Sequence, residues 1–334
     1  MFWAGSYKDR LDRVCFFLVS QQVVPMNDLH GQIFLSLLGS PLTETDPTDS
    51  YELIESLNWR FLSFDISSGN WNVLPGNGSP YFWVSPDASK ITFVLNGTIW
   101  LRDTLARKHR LFDLPEPTRL VYQGAWASDG SQFIVSFAPL GWNSLYGTIQ
   151  TWLLETDSQF KTRLPIPATD GVRDWSHNGE WLLTSSKRHS RDKRQMYIIR
   201  LDGTERRWLP TEGECTQCRF SPDGLQIASC RGPRQGSPVS PASTELGAVW
   251  LMNLDCSDDH MVFGHSEISC QDVRWSIDGE HMAIKYFRRA PSGSGELDLS
   301  KPFFAIIDRQ GIISEEIHPP EPFRLFRTST LDWR

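Results

Sequence analysis

The chain has 334 residues, of which 40% are apolar and 22% charged, with a formal net charge of -7. That composition excludes a disordered chain, and the acidic balance excludes a general nucleic-acid binder, which needs a basic surface to displace counterions from phosphates. Fourteen Trp and nineteen Phe, beside 24 Gly and 21 Pro, favour pleated sheet cut by many turns, because flat rings pack on sheets while Gly and Pro end strands.

The first 57 residues are the least regular. Two apolar runs, VCFFLVS (Val14–Ser20) and QIFLSLL (Gln32–Leu38), read as strands, and the acidic, turn-rich stretch from Gly39 to Ser56 reads as an insertion. Neither run approaches the roughly 20 residues that span a bilayer. The first lacks a clean cleavage site after it, so no export signal is expected, which favours a cytoplasmic location unless sequence precedes residue 1, when a periplasmic one follows. Six cysteines in so long a chain do not make the disulfide framework of a small secreted domain, which agrees with a reducing compartment.

From residue 58 the sequence repeats. An apolar or aromatic residue, a polar turn and an apolar strand recur as VSPDASKITFV from Val84, WASDGSQFIVSF from Trp126, WSHNGEWLLTSS from Trp175, FSPDGLQIASC from Phe220 and WSIDGEHMAIKYF from Trp275. Asp-Gly or Asn-Gly supplies the backbone of a tight hairpin turn in most copies. Between them lies a second hairpin, seen six times: RFLSFDISSGNWNVLP, GTIWLRDTLARKHRLFDLP, GTIQTWLLETDSQFKTRLP, QMYIIRLDGTERRWLP, AVWLMNLDCSDDHMVFG and FFAIIDRQGIISEEIHP. The closing STLDWR repeats the phase of VRDWS at Val172–Ser176. Counting Trp333 as the last copy, the spacing is about 42 to 58 residues, which is the period of four-stranded propeller blades.

If the strands of a blade are lettered a to d outward from the centre, there are five a–b hairpins and six c–d hairpins. The expected fold is therefore an all-β, six-bladed propeller over residues 1–334, closed by pairing the C-terminal strand with N-terminal strands, with residues 1–57 contributing to blade one. A seven-bladed ring is the alternative. The phrases FSPDG, WSIDG and MYIIRLDGTERRWLP resemble the repeats of TolB-like, WD-repeat-like propellers across residues 58–334. The resemblance implies the propeller fold. It differs from TolB in having too few residues before the repeats for that protein's extra α/β domain.

Propeller geometry puts the a–b and c–d turns on one face and the b–c loops on the other. The b–c loops lengthen after blade two and carry Lys187, Arg188, Arg191, Lys193, Arg194, Arg231, Arg234, Arg288 and Arg289. Basic loops on an acidic body steer an anionic partner or acidic peptide, or are merely charged hairpin tips. The inner strands bring Gln123, Arg173, Asp174, Gln217, Arg219, Asp272, Arg274 and Asp332 to the channel; mixed Arg and Asp there reads either as salt bridges between blades or as a binding mouth. Trp126, Trp175, Phe220, Trp275 and Trp333 read as core.

Cys215, Cys218, Cys230 and Cys270, with His265, could gather a soft metal such as zinc, but a lone C-x-x-C reads better as buried thiols, and no metal or cofactor is expected. There is no nucleophile elbow, P-loop, H-E-x-x-H or dinucleotide-binding glycine pattern. The expected function is a non-enzymatic, monomeric scaffold that binds a protein or peptide through the b–c face and channel mouth. The alternative is a lyase or hydrolase acting on a saccharide or peptide in the channel.

Overall fold

The computed structural model describes residues 31–39, 58–103, 107–114, 118–139, 149–158, 160–186, 195–211, 213, 215–232, 247–264, 267–289, 297–323 and 331–334. Each repeated turn is built by its own side chains. In blade five the Ser221 hydroxyl donates to Asp223 and accepts the Gln226 N–H at 2.9 Å, while Asp223 accepts the Leu225 N–H at 2.9 Å. The same set recurs around Ser85, Ser176 and Ser276. Gly130, Gly179, Gly224 and Gly279 take φ near +70° in these turns, a region that costs a residue with a Cβ.

The hairpins assemble into six four-stranded antiparallel sheets. Blade one holds β1 (Gln32–Leu38), β2 (Trp59–Asp65) and β3 (Asn70–Val73), and blade two β4 (Phe82–Val84), β5 (Lys90–Leu95), β6 (Thr98–Asp103) and β7 (Lys108–Asp113). Blade three holds β8 (Thr118–Trp126), β9 (Gln132–Pro139), β10 (Gln150–Glu155) and β11 (Lys161–Arg163). Blade four holds β12 (Asp170–Trp175), β13 (Trp181–Ser186), β14 (Gln195–Arg200) and β15 (Arg206–Trp208). Blade five holds β16 (Cys215–Phe220), β17 (Gln226–Arg231), β18 (Ala248–Asn253) and β19 (His260–Phe263). Blade six holds β20 (Ile268–Trp275), β21 (His281–Arg289), β22 (Leu297–Asp308) and β23 (Ile313–Ile317).

The remaining strand, β24 (Leu331–Trp333), is the inner strand of blade one and pairs with β1 in the register Ile33↔Trp333, Phe34↔Asp332, Leu35↔Leu331. The ring is thus six-bladed and closed by its last strand, as the repeat count requires, and the seven-bladed alternative is set aside by the six sheets of the described residues. The run Val14–Ser20 and residues 40–57 lie outside the described residues. No helix among the described residues is long and apolar enough to cross a membrane.

The core sits between neighbouring blades. Trp126, Trp175, Phe220, Trp275 and Trp333 are all buried, and two of the indoles also tie blades together: Trp126 Nε1 donates to the Trp83 carbonyl at 3.2 Å and Trp275 Nε1 to the Arg219 carbonyl at 3.4 Å. Buried indole N–H groups need such acceptors. The inner strands of blades three to six each carry a register shift against their partner strand, at Val121/Gln123, Val172/Asp174, Cys215/Gln217 and Cys270/Asp272. A bulge inserts one unpaired residue and re-aims the side chains that follow it.

Candidate channel-mouth site

On every inner strand the residue before the motif aromatic, or before Val84 in blade two, comes to the channel. In ring order from blade one these are Asp332, Trp83, Ala125, Asp174, Arg219 and Arg274. Together with the aromatics and the first turn residues they line a cavity of about 270 Å³. Pro86, Ser128, His177, Pro222 and Ile277 on its rim belong to the a–b turns, so the cavity opens on that face, opposite the b–c loops. Its wall is two-sided: Trp83, Gly124, Ala125 and Trp126 of blades two and three are uncharged, whereas blades four, five, six and one supply Asp174, Arg219, Arg274, Asp332 and Arg334.

The charged side is cross-linked between blades. Asp332 accepts the Val84 N–H at 2.9 Å and Asp174 accepts the Phe220 N–H at 2.8 Å, each carboxylate fixing the inner strand of the following blade. Arg219 donates through Nη1 to the Arg173 and Cys218 carbonyls, both at 2.7 Å, and through Nη2 to Gln123 Oε1 at 3.3 Å across the channel; the same Nη2 lies 3.9 Å from Asp272. Arg274 Nη1 pairs with Asp272 at 2.6 Å, and its Nε lies 3.6 Å from Asp332. Arg334 Nε donates to the Val84 carbonyl at 3.0 Å and its Nη2 to Asp332 at 3.2 Å.

Charges held this far from water shift accordingly. Burial pushes the Asp174 carboxyl above the usual carboxylate range, opposed by Arg219 and the Phe220 N–H. Burial, then the neighbouring Arg274, lowers the pKa of Arg219. Burial also lowers Lys285, beside Asp272, to about 8. Of the two sequence readings of the inner-strand Arg and Asp residues, salt bridging between blades is observed, and of these residues Asp174, Arg219, Arg274 and Asp332 also line the cavity. Arg173 is buried, with Nε donating to Ser185 Oγ at 2.9 Å.

Among the basic loop residues, Lys187, Arg188, Arg191, Lys193, Arg194 and Arg234 lie outside the described residues. Arg231 departs from its expected place on a loop. It ends β17, is 1% exposed, pairs with Asp259 at 2.7 Å, bonds Ser229 Oγ at 2.8 Å and covers the Trp250 ring, so burial removes it from any partner surface. Arg288 is half-exposed but engaged, with Glu316, the Tyr286 hydroxyl and the Phe303 ring at 2.5, 3.0 and 4.3 Å. Arg289 Nε faces Glu267 at 4.0 Å.

Cys215, Cys218, Cys230 and Cys270 are buried free thiols, and burial pushes Cys218, Cys230 and Cys270 well up. Among the described residues no group of three or more His, Cys, Asp or Glu is arranged to hold a metal ion. Sequence reasoning missed Arg334 and the rim. Arg334 occupies the slot after the aromatic where four other blades have Ser85, Ser176, Ser221 and Ser276, and that exception was the available signal.

No family model matches the sequence, and no characterised relative matches it at the sequence level. Among solved structures the chain is similar to TolB from Acinetobacter baumannii, with a TM-score of 0.63 and 14% identity over 91% of this chain and 66% of that one. It is similar to a putative TolB from Agrobacterium tumefaciens (TM-score 0.58, 12% identity, 86% of this chain and 90% of that one) and to oligogalacturonate lyase from Vibrio parahaemolyticus (0.56, 12%, 88% and 80%). The chain spans just under two thirds of the length of the Acinetobacter protein. At these identities the likeness is one of fold, and the fold is that of a six-bladed, TolB-like β-propeller.

Proposed function

We propose that the protein is a non-enzymatic scaffold that binds a protein partner by receiving one of its peptide segments at the channel mouth. The observation that supports this reading is the two-sided cavity on the a–b face, together with the apolar turn residues on its rim, Pro86, Pro222 and Ile277, the last of them 60% exposed. Turn residues kept apolar next to a cavity match the make-up of a contact surface, with an apolar centre and polar surroundings. The b–c loops with Lys187, Arg188, Arg191, Lys193, Arg194 and Arg234 are a second proposed contact for an acidic partner.

Selection of phage-displayed peptides on the wild type separates these surfaces. Peptides that seat in the mouth lose about ten-fold or more in affinity on Ile277→Glu, because a charge enters an apolar contact, and keep it on a variant with Arg188, Arg191 and Arg194 replaced by Glu. The opposite pattern moves the site to the b–c face. Selected peptides insensitive to both variants overturn the reading. The likeness to oligogalacturonate lyase supports a second, enzymatic reading, and cleavage of oligogalacturonate by the purified protein would replace the scaffold with a channel enzyme.

A further inference from the structure

We infer that the channel mouth is a carboxylate site, in which Arg274 and Arg334 hold an acidic or chain-terminal carboxylate of the bound segment. This rests on the channel-mouth reading above and adds the chemistry of the anchor. Three observations lead to it.

The first is the donor inventory. A guanidinium offers five N–H donors, and Arg274 spends Nη1 on Asp272 and on the Val273 carbonyl at 3.0 Å, with Nε turned to Asp332. Its Nη2 has no acceptor among the described residues, although Arg274 lines the cavity. Arg219 likewise uses Nη1 and Nη2 and leaves Nε without an acceptor among the described residues. Arg334, with 28% of its side chain exposed, completes the cationic side of the mouth.

The second is charge. Arg173, Arg219, Arg274, Lys285 and Arg334 stand on or beside the inner strands against Asp170, Asp174, Asp272 and Asp332, one cation more than the carboxylates. That is a cationic surplus inside a molecule whose net charge is -7. Burying unbalanced charge is costly unless a counter-charge accompanies it. A monoanion fits this wall better than a dianion such as a phosphate, because Asp174 and Asp332 line the same side and repel the second charge.

The third is shape. The facing wall of Trp83, Gly124, Ala125 and Trp126 carries no charge. The occupant therefore has an anion at one end and an apolar group beside it, which an acidic or terminal residue next to an apolar side chain provides.

Isothermal titration of the whole chain with small probes tests this. N-acetyl-leucine presents a terminal carboxylate, N-acetyl-glutamate α-amide a side-chain carboxylate, and N-acetyl-leucinamide neither. At least one of the carboxylates is expected to bind about ten-fold tighter than the amide, the gain typical of a charge-assisted hydrogen bond to a guanidinium; which of them binds tells the chain end from the acidic side chain. Arg334→Gln, half-exposed and with its backbone bonds unchanged, is expected to erase that preference while the melting midpoint stays within a few degrees. Equal binding of carboxylate and amide, no binding of either carboxylate, or an unchanged preference in Arg334→Gln overturns the assignment. Binding of galacturonate with neither N-acetyl carboxylate also overturns it, by giving the site to a uronide. Selected peptides that lack a carboxylate and still lose affinity on Ile277→Glu leave the scaffold standing while removing the carboxylate anchor.

Discussion

Lys285 shows what single residues contribute to this fold. It is 7% exposed, lies opposite Asp272 in the β20–β21 register, and titrates near 8 because burial outweighs the attraction of Asp272. A depressed lysine means that the unfolded chain binds the extra proton between pH 8 and its ordinary value near 10.5, so the cost of burying the cation is complete below pH 8 and is relieved as the pH rises. Urea denaturation of Lys285→Met and the wild type should therefore show the variant losing about 2 kcal/mol relative to the wild type from pH 8 to 10. A constant difference across that range would mean that folding does not lower the pKa of the lysine. The comparison needs the variant, since the buried thiols of Cys218, Cys230 and Cys270 act the other way: raised in the fold, they keep protons that unfolded thiols release, and wild-type stability falls with them above about pH 9. At this scale the inner-strand charges were legible from the repeat phase, but their partners were not. The bulges at Cys215/Gln217 and Cys270/Asp272 break the strand alternation on which the phase depends, and Arg231 is buried by a carboxylate 28 residues away that no local pattern announces.

At the scale of elements the sequence is more explicit, because each hairpin is specified within its own few residues. The Ser–Asp–Gly turns are self-contained hydrogen-bond sets, so the a–b and c–d hairpins could be placed one by one. Gly224 isolates the backbone part of that specification. It has φ +72°, and a Cβ built there meets nothing within 4 Å. Gly224→Ala should thus cost about 1–2 kcal/mol of stability in urea denaturation, from left-handed strain alone. A cost near zero would show that the turn relaxes to another type. The b–c loops are the reverse case. Their length and charge can be counted in the sequence, but they carry no repeated motif comparable to the Ser–Asp–Gly turns, so the surface they form is not legible from composition.

For the whole molecule, the number of blades followed from a mismatch between five a–b and six c–d hairpins, resolved by Trp333. Closure rests on three paired residues and on the backbone exchange between Gln32 and Arg334. Ending the chain at Thr330 should remove the buried Trp333 and leave β1 with an open edge. Losing the indole alone is worth about 3–5 kcal/mol, and an unpaired edge invites association with other chains. Thermal melts and size-exclusion chromatography should show a lower midpoint together with larger species, and an unchanged monomer with the wild-type midpoint would mean that closure is dispensable. The choice of mouth is a property of this scale as well. The cavity appears only when six strands converge, and its a–b opening could not be told from the opposite face by the inner-strand residues alone.

The join between β24 and β1 differs from the five other a–b pairs in one respect, namely that no peptide connects its strands. Arg334 exchanges backbone hydrogen bonds with Gln32, and its carbonyl oxygen lies within 2.8 Å of where a Cβ on Gly31 would stand. A short Asp-Gly bridge from Arg334 to Gly31, in place of the residues before Gly31, would supply blade one with the turn its neighbours already have. The propeller would then be a covalent circle in which any surface turn can serve as the new pair of chain ends, and circular permutants opened at different blades become a way to ask which blade nucleates folding.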